Sequence, residues 1–142
     1  MNKIFSASPL WQPQGLTIIR FIVGGFLIYH GWEIFDAAIM KEYTKWDIFK
    51  NTFSPAFIVY FGKDTELIAG FLLFFGWLTR LASLVIIITF LFISLFVGHA
   101  KIWYEDQHPF LFVLLGFVSF FTGGGKWSID NLLFNKTQNR KK

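Results

Sequence analysis

The sequence predicts an all-α membrane protein, a bundle of four transmembrane helices running antiparallel, up-down-up-down. Three observations carry that prediction. Hydrophobic residues make up 54% of the 142 and charged residues only 15%, against about a quarter charged in soluble domains, and mean hydropathy is +0.51. Four apolar stretches each approach the roughly 20 residues that cross a hydrocarbon core of about 30 Å. The six tryptophans (Trp11, Trp32, Trp46, Trp77, Trp103 and Trp127) are expected at the two membrane interfaces, where amphipathic rings favour the headgroup layer.

The stretches are placed at about 16–35, 56–78, 81–100 and 105–123. Before the first, residues 1–15 carry one charge, Lys3, and two prolines, Pro9 and Pro13. No small-x-small cleavage site follows the first apolar run, and Trp32, Glu33 and Phe35 stand where one would be, so the span is expected to be retained. Only Thr79 and Arg80 separate the second and third stretches, which predicts a tight antiparallel hairpin. The uncharged part of the fourth begins at Pro109, a residue suited to a first helical turn. A basic tail, 124–142, ends in Lys136, Arg140, Lys141 and Lys142. No linker or repeat divides the chain, and a single domain over 1–142 is expected.

Four crossings put both termini on one side, with eight basic residues there against five on the other: Lys3, Arg20, Arg80, Lys126, Lys136, Arg140, Lys141 and Lys142 against Lys41, Lys45, Lys50, Lys63 and Lys101. The positive-inside rule then places both termini in the cytoplasm. Eight of nine acidic residues fall toward the outer half, only Asp130 inside, so the outer mouth is the chemically rich end. The net charge of +4 is spread over short loops and the tail, a pattern of lipid-facing basic residues and not of a nucleic-acid surface. With no cysteine, disulfides, iron–sulfur clusters and thiolate metal sites are excluded.

Residues three, four, seven or eleven apart share one helical face, and small or polar residues on such faces are expected to turn inward and pack. The stripes are Arg20, Gly24 and Gly31; Gly62, Glu66 and Gly70; Arg80, Ser83, Ser94 and Gly98; and His108, Ser119 and Thr122.

A charge at the centre of a bilayer costs about 2.5–3.5 kcal/mol on insertion scales, so ionisable residues within the spans are the candidates for function. Glu66 is the first, either as a proton-handling or ligand-binding carboxylate or as an ion-pair partner of Arg20, Arg80 or Lys63. Lys63 and Asp64 stand just before it. His30 with Glu33, His99, and Glu105 with His108 are expected to converge on the outer mouth, where histidine could relay protons, bind a quinone headgroup or ligate haem. A bis-His haem between His30 and His99 is chemically allowed but required by nothing, and no spacing is diagnostic of a metal site. Arg80 is expected to snorkel to headgroups, whereas Arg20, one turn inside the first span, is expected to face inward toward Glu66 or an anionic ligand.

The order and spacing of several short motifs resemble the DoxX family of small bacterial membrane proteins: Arg20-Phe-Ile-x-x-Gly25, Tyr29-His30-Gly31, Glu66-x-x-x-Gly70, Gly76-x-x-Thr79-Arg80, and Gly124-Gly-Lys-Trp-Ser128-Ile-Asp130. The similarity runs from Leu16 to Leu133. It implies a four-helix fold in the bacterial inner membrane and a role as a subunit or partner of quinone-linked redox enzymes such as thiosulfate:quinone oxidoreductase. It singles out Arg20, His30, Glu66, Arg80 and Asp130. At Glu33 the chain departs from relatives of the His-Gly type, many of which carry Lys there, so no anion-binding role is carried over to that position.

The leading functional expectation is therefore a membrane subunit or partner of an oxidoreductase complex, presenting a quinone or proton site. A structural anchor or assembly factor without catalysis is the first alternative, and a small proton-linked transporter or channel the second. No nucleotide motif, thiol or metal motif points to self-sufficient catalysis. Expected partners are lipids, an oxidoreductase subunit and a second copy of the chain. Ser128 and Asp130 are expected to cap a short interfacial helix ending near Phe134.

Overall fold

A computed structural model describes residues 11–50 and 52–135. The expectations for Lys3, Pro9 and the basic residues Lys136 to Lys142 lie outside the described residues. Every regular element among those described is helical: α1 (Gln12–Gly31) running into a 3-10 turn (Trp32–Phe35), α2 (Ala37–Tyr43), α3 (Asp47–Lys50), α4 (Pro55–Phe75), α5 (Thr79–Phe92) ending in a π-helical turn (Ile93–Val97), α6 (Gln107–Thr122) and a final π-helical turn (Asn131–Asn135).

The expected hairpin is present but lies earlier in the chain. Helix α4 stops at Gly76, whose φ of 66° is left-handed, and two bonds close it: Gly76 N–H to Leu73 O at 3.1 Å and Trp77 N–H to Leu72 O at 2.8 Å. This Schellman pattern needs the glycine, because a left-handed residue with a Cβ is strained. Thr79 and Arg80, expected in the turn, form the first turn of α5 instead.

The connection between the first two long helices also has more structure than expected. Asp36 accepts hydrogen bonds from the N–H groups of Ala38 (2.9 Å) and Ile39 (3.2 Å), an N-cap that starts α2. Met40 and Phe49 then bury against Val59 of α4. This small cluster folds α2 and α3 over one end of the molecule.

The long helices pack antiparallel. Gly24 of α1 lies against Phe74 of α4, and Gly31 against Leu67. In the other pair Phe90 of α5 stacks on Phe112 of α6 at 4.8 Å, and Gly116 meets Ile87. Their shared core is apolar, built around Val23, Leu27, Leu73, Ile86 and Val113. A Cβ on Gly31 would sit 2.5 Å from the Leu67 backbone nitrogen, closer than any real contact, so Gly31→Ala must force α1 and α4 apart. The expected destabilisation is about 1–3 kcal/mol, the usual cost of overpacking. Gly25 has open space around it, and Gly25→Ala is expected to leave the thermal midpoint in detergent unchanged or slightly raised. Equal midpoints for the two variants would show that close approach does not hold this pair.

Two helical segments, Gln12–Phe35 and Thr79–Val97, are long and apolar enough to cross a membrane, with only 28% and 33% of their apolar windows buried inside the molecule. Helix α6 is apolar but has 16 residues, and α4 interrupts its apolar run with Lys63, Asp64 and Glu66. Outward-facing Ile22, Phe26, Phe61, Ile68, Ile88 and Phe121 are all more than half exposed. Exposed tryptophans mark both ends: Trp11, Trp77 and Trp127 near the α4–α5 turn, and Trp32, Trp46 and Trp103 at the α2–α3 end.

The inward stripes hold for Arg20, Gly24 and Gly31, for Glu66 and Gly70, and for Ser83, Ser94 and Ser119, all buried. They fail for Arg80, His108 and Thr122, which are exposed. Each of these lies at a helix end, beyond the stretch where a neighbouring helix covers that face.

Candidate functional site

A ladder of charged and polar groups is assembled at the α2–α3 end. The last turn of α1 supplies His30, the 3-10 turn Glu33, the end of α2 Tyr43, and one face of α4 both Lys63 and Glu66, three residues apart. Lys63 is the hub. Its ammonium donates to Glu33 Oε2 at 2.8 Å, to Glu66 Oε2 at 3.0 Å and to the His30 carbonyl at 3.3 Å, which uses all three of its N–H donors. The Tyr43 hydroxyl donates to Glu33 Oε2 at 2.7 Å, and its ring lies 5.1 Å from the ammonium, within cation–π range. His30 Nδ1 stands 3.9 Å from Glu33 Oε1, and its ring packs edge-on to His108 at 6.0 Å.

Two carboxylates thus share one cation. The Glu66 side chain is only 8% exposed and that of Lys63 14%, so each depends on the other for charge compensation. On the α2 side of the ladder, burial and then the bond to Glu33 hold the Tyr43 phenol above its ordinary pKa.

Beside the ladder lies a cavity of about 200 Å³ between α4, α5 and the α2–α3 cap. Its walls are apolar, from Trp46, Phe49, Ile58, Val59, Phe92 and Ile93, and its polar end is Tyr43, Lys63 and Glu66. Trp46 and Phe92 of its wall are each 46% exposed, so the lining reaches the outer surface there. A groove on the other side of Glu33, along Tyr29, Trp32 and Asp36, brings that carboxylate to the surface.

Several expected members are placed elsewhere. Arg20 does not meet Glu66: its guanidinium is 2% exposed at the far end of α1, where Nη1 donates to the Leu73 and Phe74 carbonyls and Nη2 to the Trp127 carbonyl, each at 2.6 Å. Those carbonyls belong to the last turn of α4, which has no partners of its own to offer them all, and to the loop after α6. The ring beside His30 is that of His108, from α6, and not that of His99. His99 is exposed; its backbone N–H and that of Lys101 both donate to Asp106 Oδ2 at 2.9 Å. Gly98 packs so tightly on the Asp106 carboxylate that a side chain there would collide with it. Glu105 pairs with Lys101 at 3.1 Å on the exposed surface, and Asp64 and Arg80 are exposed.

Asp130 caps a helix other than the one expected. Its oxygens accept from the N–H groups of Leu78 (2.7 Å) and Thr79 (2.9 Å) at the start of α5, and its own N–H donates to Gly76 O. Ser128 does cap locally, accepting from Asn131 N–H at 3.1 Å. Among the described residues no group of three or more His, Asp or Glu is placed to hold a metal ion.

Tyr43 and Asp106 were not singled out by the sequence. The signal for Tyr43 was the Asp36 cap followed by Ala-Ala-Ile-Met, a short helix start that projects Tyr43 three residues beyond buried Met40. Compared with known proteins, residues 15–100 match the model of the family described as DoxX. No curated protein and no solved structure gives a match.

Proposed function

The chain belongs to the DoxX family, and from that premise we propose that it crosses the bacterial cytoplasmic membrane four times as a single domain, both termini cytoplasmic, and serves as the membrane subunit of a quinone-linked oxidoreductase. The two long apolar helices, the outward apolar surface and the tryptophans at both ends support the membrane placement. With α4, the charge cost is met internally, because Lys63 and Glu66 neutralise one another.

The observation that carries the quinone reading is the cavity whose apolar walls end on the Lys63–Glu66 pair. At about 200 Å³ it is smaller than ordinary small-molecule pockets of about 300–1,000 Å³. A single ring fits it and a long tail does not. The tail would leave between Trp46 and Phe92 along the lipid-facing surface. A quinone ring needs an N–H donor at one carbonyl and apolar packing on its faces; Lys63 supplies the first, and Phe49 and Phe92 the second. The bond from Lys63 to the His30 carbonyl, longest of its three at 3.3 Å, is the one a ligand would replace. When bound, the quinone would accept two electrons, from a partner subunit, and two protons. Glu66 holds Lys63 in place, and Glu33 links it to the outer groove.

Narrowing the cavity tests this. Val59→Phe is expected to weaken binding of a short-chain quinone analogue to the purified protein at least tenfold, about 1.4 kcal/mol, while the bundle remains folded. In cells the same variant should slow quinone-dependent respiration. Analogue binding unaltered by Val59→Phe, or respiration unaltered by deleting the protein, would sink the reading and favour an anchor, in which the ladder only neutralises charge. Proton-linked transport is less favoured because, among the described residues, no ionisable side chain belongs to the core around Leu27, Leu73 and Ile86 that separates the two ends.

A further inference from the structure

A second cavity, of about 720 Å³, opens at the opposite end, between the α4–α5 turn and the loop that follows α6. Arg80, Lys126, Thr79 and Asp130 line it, together with Gly123 to Gly125. We propose that this cavity binds a phosphoryl group, that of an anionic phospholipid in the cytoplasmic leaflet, between Arg80, Lys126 and the N-terminus of α5.

Four features converge on an oxyanion. First, Arg80 and Lys126 are exposed, and neither has an acidic partner within ion-pair distance among the described residues. Second, the 14-residue helix α5 begins here, and the first N–H groups of a helix have no partners within it. Asp130 takes those of Leu78 and Thr79, leaving those of Arg80 and Leu81, both of which line the cavity. The helix dipole adds to their attraction for an anion. Third, the Thr79 hydroxyl is buried without a hydrogen-bond partner, in a residue 1% exposed. A buried hydroxyl left unpaired is costly, and an oxyanion at the cavity floor gives it an acceptor. Fourth, Gly124 lets the backbone approach: a Cβ there would lie 2.8 Å from Thr79 Oγ1.

Asp130 is the one acidic residue lining the cavity, and it does not oppose this. Its two oxygens are both engaged by backbone N–H groups, and its charge is partly offset by the electrostatic interaction with Arg20. Arg20, Arg80 and Lys126 against Asp130 leave an excess of two positive charges. Exposed Trp77 and Trp127 flank the site, the depth at which phosphates lie. Basic pockets between helices on the cytoplasmic side are suited to such headgroups.

The inference rests on the membrane-spanning reading, which is tested separately by whether the protein leaves membranes only with detergent. The full chain is then purified and presented with phosphatidylglycerol or phosphatidylcholine in mixed micelles, and bound lipid is counted by native mass spectrometry. Phosphatidylglycerol is expected to be retained at least tenfold more tightly, and the preference to fall to below threefold in Arg80→Gln/Lys126→Gln. Thr79→Val, which removes the orphan hydroxyl without changing charge, should also weaken retention, with the thermal midpoint unchanged or raised. Competition by millimolar inorganic phosphate separates the sources: no competition supports a lipid ligand, whereas phosphate binding with no preference between the lipids overturns the lipid assignment. Equal retention of both lipids with no phosphate effect, or a preference untouched by the double variant, overturns the site.

Discussion

Replacing Arg20 with Met is expected to cost about 2–6 kcal/mol, the sum over the carbonyls that lose their donor. Its guanidinium is the joint among three segments: α1 carries it, the last turn of α4 offers the Leu73 and Phe74 carbonyls, and the loop after α6 offers that of Trp127. Met fills the volume of the stem but leaves the Phe74 and Trp127 carbonyls without this donor in a partly buried place, at up to about 1–3 kcal/mol each. Arg20→Lys should recover little, because an ammonium cannot reproduce the planar fork that reaches carbonyls on two sides. The damage should also be local. Hydrogen exchange is expected to accelerate in residues 124–130 and at the α4–α5 turn, while the amides of α2 keep their protection. A variant with native midpoint and native exchange over 124–130 would remove Arg20 as the joint. The prediction separates two readings of an intramembrane arginine, since an anion-binding Arg20 would tolerate loss of its side chain in the unliganded protein.

That residue also marks where sequence reasoning stops. Hydropathy located all four long helices to within a few residues, because a run of about 20 apolar residues leaves little else for the backbone to do. Glycine spacing pointed to the packed faces of α1 and α4 for the same kind of reason: only a missing Cβ allows Gly31 and Gly70 their approach. Charges were harder. An arginine and a glutamate in neighbouring spans look like partners in one dimension, yet in the antiparallel pair Arg20 meets the last turn of α4 at Leu73 and Phe74, while Glu66 lies two turns earlier, beside Leu67 that packs on Gly31 at the other end of α1. The partner that Arg20 found was backbone carbonyl, which leaves no trace in side-chain identity. Lys63, by contrast, lies one turn from Glu66, and local spacing was enough to nominate that pair. The α2–α3 cap was illegible as a wall of the site because its burial depends on α4 and not on its own seven and four residues.

At the opposite end, Lys63→Met is expected to destabilise by about 3–5 kcal/mol, because it strips the common cation from two carboxylates at once. Glu66→Leu should cost less: Lys63 keeps its 2.8 Å bond to Glu33, and Glu33 is the more exposed of the two acids, 24% against 8%. In Lys63→Met/Glu66→Leu the deeper charges are both gone and the volume is filled by apolar side chains, so much of the loss should return. The coupling between the two sites is expected at about 0.5–3 kcal/mol, read from thermal or denaturant unfolding of the four members of the cycle. Strict additivity would mean that the two groups do not depend on each other for compensation. The double variant also divides structure from function. If the pair serves only to neutralise charge, the restored protein should support respiration and bind the quinone analogue as the native protein does. If Lys63 donates to a ligand in the adjoining cavity, binding stays lost although the fold has recovered, because no apolar side chain can replace an N–H donor facing a carbonyl.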